Sequence, residues 1–174
     1  MKHVLVCKVE NKPGVLNRIS SLFRRRLYNI DSLTVSPTEN PAVSRMTIVV
    51  DATRTDARIV ERNLYKLVNT IEVKDVTDLP AVKRDLALIK VHTNPDTRSE
   101  VLNLVDIFRG KVVDVAPSSV IIELTGEVKK IDSFIEVLKE FGIAELVRTG
   151  LVAMERGRSD KEVPAVAAAQ QVNI

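Results

Sequence analysis

The stretch His3–Leu27, HVLVCKVENKPGVLNRISSLFRRRL, decides the fold. Its opening, His3–Glu10, is rich in Val and Leu and stops at Asn11-Lys12-Pro13-Gly14, a turn signal, so it reads as a strand. Beyond the turn, Val15, Leu16, Ile19, Leu22, Phe23 and Leu27 recur at three- and four-residue steps. That spacing places them on one face of a helix over Pro13–Leu27. Pro13 suits the first helical turn, where no amide donor is needed. Arg24-Arg25-Arg26 is the one dense basic patch, and it reads as a solvated helix end, where the macrodipole favours cations.

Working outward, Asn29–Ser36 is a strand, Pro37–Pro41 a turn-rich loop and Val43–Asp51 a strand. Thr55–Val68 is a helix with Ile59, Val60, Leu64, Leu67 and Val68 on one face, and Ile71–Val76 is a strand. The second half repeats this order. Leu86–Thr93 is a strand, Thr97–Arg109 a helix, Lys111–Val115 and Val120–Thr125 strands, Lys129–Phe141 a helix and Glu145–Met154 a last strand. Leu22-Phe23-Arg24 and Ile107-Phe108-Arg109 are read as matching junctions that close the first helix of each half. The expected fold is therefore α+β: two tandem ferredoxin-like βαββαβ domains with a repeat of about 80 residues. The expected divisions are a first domain over 1–78, a linker over 79–84, a second domain over 85–156 and a flexible tail over 157–174.

The strands carry apolar residues on both faces: Val4 and Val6 opposite Leu5 and Cys7, and Met46, Ile48 and Val50 opposite Val49. A sheet with helices on one side must cover or polarise the other. A second buried surface is therefore expected, in an oligomer, between the two halves or against another protein.

Composition excludes more than it proposes. The 174 residues hold 26 Lys and Arg against 23 Asp and Glu, a net +3, too even for the broad basic stripe of a nucleic-acid binder. Aromatics are only 3%, and Val4–Val9 and Val43–Asp51 contain none, so an RNA-binding ferredoxin-like module ranks low. Cys7 is the lone cysteine, which rules out a disulfide within the chain and a thiolate metal cluster. His3 and His92 have no catalytic neighbours in a recognisable spacing, and the six glycines never cluster into a phosphate loop. No catalytic residue, metal or cofactor is expected in this chain. No apolar run approaches the ~18 residues of a membrane span, and no signal-peptide layout opens the sequence, so a cytoplasmic setting is expected.

One segment invites a ligand. Asn11-Lys12-Pro13-Gly14-Val15-Leu16 joins a strand to a helix N-terminus, whose first amides lack internal partners and favour an anion. Gly14 lets a ligand approach the backbone, and Asn11 offers both a donor and an acceptor. An α-amino acid presents such a carboxylate and ammonium, and Val15 and Leu16 are suited to an aliphatic side chain. A plain structural turn explains the same residues.

The same residues, followed by Leu22-Phe23-Arg24-Arg25 and Tyr28-Asn29-Ile30-Asp31-Ser32-Leu33-Thr34-Val35, resemble the ACT domain of the acetohydroxyacid (acetolactate) synthase small subunit. Ser44-Arg45-Met46-Thr47-Ile48, Lys66-Leu67-Val68 and Phe108-Arg109-Gly110-Lys111-Val112-Val113-Asp114-Val115 extend the resemblance over roughly residues 1–156. The resemblance implies a non-catalytic regulatory subunit. Its partner would be a large catalytic subunit carrying thiamine diphosphate, magnesium and FAD, in valine, leucine and isoleucine biosynthesis. It further implies catalytic activation, feedback inhibition chiefly by valine, and a homodimer through the ACT domain. Asn11, Gly14, Val15 and Leu16 of one chain would then face Asn29 and Ile30 of the other across that interface. A free-standing ACT sensor for another enzyme is the alternative. The family usually carries Gly where this chain has Leu27, so the first helix is expected to end differently here and to shift Asn29.

Overall fold

A computed structural model describes residues 2–51 and 57–157. The elements run β1 (Lys2–Glu10), α1 (Val15–Arg26), β2 (Asn29–Pro37), β3 (Val43–Asp51), α2 (Ala57–Tyr65), β4 (Thr70–Asp75) and β5 (Ala81–His92). They continue α3 (Arg98–Ile107), β6 (Lys111–Ala116), β7 (Ser119–Gly126), α4 (Val128–Leu138), β8 (Ile143–Arg148) and β9 (Val152–Glu155). The two sheets have strand orders β2-β3-β1-β4 and β6-β7-β5-β8, with every pair antiparallel. This is the ferredoxin-like arrangement twice over, as the element order predicts.

Period-two alternation builds both cores. Leu5, Cys7 and Val9 of β1 and Met46, Ile48 and Val50 of β3 meet Val15, Ile19, Leu22 and Phe23 of α1 and Val60 and Leu64 of α2. Burial pushes the Cys7 thiol up to about 12, so it stays a protonated core residue. In the second half Ala87, Ile89 and Val91 take the places of Leu5, Cys7 and Val9, over Ile131, Phe134 and Leu138 of α4. The helix stripes are narrower than the sequence suggests. Leu16, Ile59 and Leu102 are partly exposed, and Leu27 and Val68 are 92% and 91% exposed. The start of the second expected helix, Thr55 and Asp56, lies outside the described residues.

The end of α1 corrects the expectation for Leu27. Leu27 adopts the left-handed conformation, φ 56° and ψ 34°, that glycine would supply. Its N–H donates to Arg24 O at 3.2 Å and the Tyr28 N–H to Phe23 O at 3.0 Å, the paired bonds of a Schellman end. The Phe23 and Tyr28 rings meet edge to face at 5.7 Å and hold the motif shut. The helix thus ends as it would with Gly, and the conformational strain is borne by Leu. Arg109, also at positive φ (54°), ends α3 in the same way. Leu27 therefore corresponds to Arg109, and the two Leu/Ile-Phe-Arg triplets are not equivalent positions. Leu27→Gly is expected to stabilise the chain by about 0.5–1 kcal/mol, because relief of roughly 1–2 kcal/mol of left-handed strain outweighs the glycine's extra unfolded-state entropy. A lower urea midpoint for Leu27→Gly would overturn this.

Three further boundaries differ from the sequence reading. Pro13 precedes α1, which starts at Val15 after Gly14. The expected linker 79–84 is largely strand: Ala81–Arg84 is the start of β5 and pairs with β9 from Ala81↔Glu155 to Arg84↔Val152. The expected single strand Glu145–Met154 is two strands, broken at Gly150, whose φ is 87°. A Cβ at Gly150 would sit 2.5 Å from Ser32 Oγ, so glycine is required there by both conformation and space. Of the expected tail, residues 158–174 lie outside the described residues.

The break has a purpose in the packing. It sends β9 back along the start of β5, and this ribbon crosses the outer face of the first sheet. Val4, Val6 and Val49 are buried there against Val76, Leu151 and Ala153. Leu151 N donates to Ser32 Oγ at 3.0 Å, and Arg45 Nη2 to Ala153 O at 2.8 Å. The second apolar face is therefore covered within the chain, between its two halves.

At the rim of this seam Asp75 accepts from Thr77 N at 2.9 Å and from the Thr77 hydroxyl, and lies 2.8 Å from His3 Nδ1. Burial alone would raise its carboxyl pKa, but the Thr77 bonds and His3 hold it below the ordinary value. A carboxyl lowered in the folded state contributes stability above its unfolded pKa, and that contribution is lost as pH falls through the folded pKa. Asp75→Asn is expected to cost about 1 kcal/mol near neutrality and progressively less below about pH 4. Urea midpoints measured across that range test this; a pH-independent deficit would contradict it.

Candidate functional site

The turn between β1 and α1 is held from both sides. Asn11 N donates to Ala42 O at 2.7 Å and Asn11 Nδ2 to Pro41 O at 2.8 Å, tying it to the β2–β3 connection. Gly14 then takes φ 83° and starts α1 with no side-chain cap and no acidic residue in the first turn. Among the described residues no side chain accepts from the first α1 amides, and Val15 N has only a long 3.4 Å bond to Lys12 O, so the partial positive charge there is unneutralised by the chain described. A Cβ on Gly14 would meet nothing within 4 Å, so the backbone is open to an approaching group. Leu16 is 43% exposed beside it.

The surroundings are polar. Asn69 accepts from Arg18 Nη1 at 2.8 Å and donates to Glu10. Asn69 first, and Lys12 second, hold the Glu10 carboxyl below its usual range. Sequence reading misses this cluster, because Asn69 arrives from the turn just ahead of β4.

The six expected site residues divide into two groups. Asn11, Gly14 and Leu16 meet at the N-terminal end of α1. Val15 faces inward and is core. Asn29 and Ile30 lie beyond the other end of this 12-residue helix, about 18 Å away along its axis at ~1.5 Å per residue. Asn29 is exposed and its amide donates to Asp31 Oδ1 at 2.9 Å, while Ile30 leans on the first core. Both sit on β2, the edge strand of the sheet. One chain therefore does not bring all six together.

The equivalent end of α3 differs. Ahead of α3, Asn94 Oδ1 accepts from Asp96 N at 2.9 Å and from Thr97 N at 2.8 Å, closing the turn that leads into the helix, while Thr97 at the helix start makes no side-chain cap bond. α4 likewise starts without a side-chain cap bond, so what sets the α1 start apart is Gly14 at positive φ with open space around it. Among the described residues, no group of three His, Cys, Asp or Glu is placed to hold a metal ion.

These features define the class: a tandem ferredoxin-like α+β chain whose first half is an ACT-like domain. Residues 5–72 match the family model for the AHAS small subunit-like ACT domain, and residues 84–157 match that for the small subunit of acetolactate synthase. A probable acetolactate synthase small subunit of Archaeoglobus fulgidus is 50% identical over 160 residues, covering 90% of this chain and 98% of that one. The acetolactate synthase small subunit of Bacillus subtilis is 44% identical over 162 residues, covering 92% and 94%. The crystal structure of the small subunit from Thermotoga maritima superposes with a TM-score of 0.84 at 40% identity, covering 91% of this chain and 99% of that chain. The chain belongs to the acetolactate synthase small-subunit family.

Proposed function

We propose that this chain is the non-catalytic regulatory subunit of acetolactate synthase, which activates the large catalytic subunit and makes it sensitive to valine or another branched-chain amino acid. The large subunit would carry the thiamine diphosphate, magnesium and FAD. The observation that supports the ligand site is the open α1 N-terminus at Gly14, where no side chain caps the helix and a Cβ would meet nothing within 4 Å. The ligand carboxylate would meet the α1 amides, with Asn11 nearby and Leu16 against the aliphatic side chain. The 18 Å scale of α1 requires Asn29 to come from a second copy, with the β2 edge as the natural place for two ACT domains to meet. Since Val15 and Ile30 are committed to the core, their role would be to position their neighbours.

A site shared between two copies gives the regulation its physical basis. Valine changes activity only if it binds two states of the complex with different affinity. By linkage, docking of the large subunit must change valine affinity by the same factor. The test is acetolactate formation from pyruvate by the large subunit, with and without this chain, across a valine titration. The expected result is no turnover by the chain alone, activation on mixing, and inhibition by valine. Turnover by the purified chain alone, or a complex indifferent to valine, leucine and isoleucine, would overturn the proposal. Light scattering should give a dimer; a monomer at micromolar concentration would remove the shared site.

A further inference from the structure

Where the β5–β9 ribbon crosses the first sheet, a cavity of about 230 Å³ remains between the two halves of the chain. It is distinct from the α1 N-terminus, and none of the six residues considered above lines it. Two guanidinium groups do, Arg45 from the sheet and Arg84 from the ribbon. Arg45 donates to Ala153 O at 2.8 Å and Arg84 Nη1 to Lys83 O at 2.8 Å. Each has so far used a fraction of its five N–H donors. Neither has a carboxylate at ion-pair distance among the described residues, and the cavity lining itself contains no acid. Glu72 feels the charge of Arg45, but its own hydrogen bond goes to Lys8.

The remaining walls are of two kinds. Thr47 is only 4% exposed, yet its hydroxyl has no hydrogen-bond partner among the described residues. Thr34 is beside it, across the β2–β3 pair. Val82, Val152 and Met154 supply apolar surface from the ribbon. The Thr34 hydroxyl already donates towards Leu151 O at 3.3 Å, which leaves the Thr47 hydroxyl to donate to a carbonyl oxygen; guanidinium forks fit a carboxylate, and the valine and methionine side chains pack against a short alkyl chain. An ammonium group would find no acid here and would be held beside two cations, which disfavours a zwitterionic amino acid.

We propose that this cavity binds a short aliphatic carboxylate that lacks an amino group, a branched 2-oxo acid being the best chemical fit. Such a ligand touches the first sheet on one side and the ribbon from the second half on the other. It therefore binds the closed seam better than an opened one and couples the two halves. This inference is independent of the valine site.

The test is calorimetric titration of the intact chain with 3-methyl-2-oxobutanoate, with valine and inorganic phosphate as comparison ligands. The expected result is saturable binding of the oxo acid in the millimolar range or tighter, with phosphate at least about tenfold weaker. Arg45→Gln and the exposed Arg84→Gln are each expected to weaken the oxo acid about tenfold or more, the scale of one lost charge-assisted bond. Gly14→Asp is expected to leave oxo-acid affinity unchanged. Absence of binding, equal affinity for phosphate, or undiminished binding in both arginine variants would overturn the proposal. Loss of oxo-acid binding in Gly14→Asp, or competition between valine and the oxo acid for one site, would overturn it too, by assigning the ligand to the α1 N-terminus. Because Arg84 is exposed, Arg84→Gln keeps its fold and decides the matter even if Arg45→Gln does not.

Discussion

Replacing Gly14 by aspartate is expected to yield a complex that stays active but ignores valine. The open space around Gly14 means that the Cβ of the new side chain meets nothing within 4 Å in this chain. The cost to folding is then the positive φ alone, about 1–2 kcal/mol for an ordinary residue and less for aspartate, which visits that region more readily. The cost to the ligand is larger. A carboxylate at the helix N-terminus occupies the position proposed for the valine carboxylate and itself satisfies the amides and the dipole. Repulsion between two carboxylates in a partly solvated site adds up to a few kcal/mol, and valine affinity should fall about a hundredfold or more. Asn29→Ala is the companion test from the other end of α1. Within the chain it loses one exposed hydrogen bond to Asp31, so stability should hardly change. If Asn29 reaches the ligand from a second copy, affinity should fall about ten- to a hundredfold. Each variant is reconstituted with the large subunit and its activity followed across a valine titration. Unchanged sensitivity in both would return Asn11–Leu16 to a purely structural turn, and Asn29 to an ordinary edge residue.

Local pattern carried most of the fold. Val43–Asp51 was legible to the residue because alternation, length and flanking turns all agree. Leu27 was misjudged because intrinsic preference argues against leucine at positive φ. The Phe23–Tyr28 ring contact and two backbone bonds outweigh that preference. The linker was misread for a similar reason. Val82, Lys83 and Arg84 follow a proline and carry mixed charge, so they resemble a connector until β9 arrives from about 70 positions later to pair with them. The need to cover Val4, Val6 and Val49 could be stated from alternation alone. That Leu151 and Ala153 do the covering depends on the Gly150 break, whose left-handed turn separates β8 from β9. For the site, Asn11, Gly14 and Leu16 were legible because a turn before a helix has a fixed chemistry. The Glu10–Asn69–Arg18 cluster was not, because Asn69, in the turn before β4, meets Glu10 of β1 and Arg18 of α1 only once the domain has folded.

Arg148→Met is expected to be the most damaging single change outside the two hydrophobic cores. Arg148 stands at the end of β8, where the chain prepares to leave the second sheet. Its Nε donates to Asp85 Oδ2 at 2.8 Å, Nη2 contacts the same oxygen, and Nη1 reaches Asp132 Oδ1 on α4 at 2.7 Å. The Asp85 side chain is only 3% exposed, and its other oxygen accepts a single 3.3 Å bond from the Thr149 hydroxyl. Burial works against the Arg148 charge, but hydrogen bonds to Asp132 and Asp85 more than compensate and raise its pKa. Methionine fills the stem's volume and removes the charge, leaving a buried carboxylate with one weak neutral partner. Breaking a buried pair in this way costs about 3–5 kcal/mol. Arg148 keeps 29% of its side chain exposed, so water reaches the gap and the lower end, ~3 kcal/mol, is expected. For a chain of this size that corresponds to a Tm lower by about 6–12 °C. One further measurement separates this mechanism from simple loss of packing. Adding Asp85→Leu to Arg148→Met should recover most of the loss, because removing both charges of a buried pair is far less costly than removing one. A deficit under about 1 kcal/mol, or a double variant no more stable than Arg148→Met alone, would show that the pair does not hold the β8–β9 corner in place.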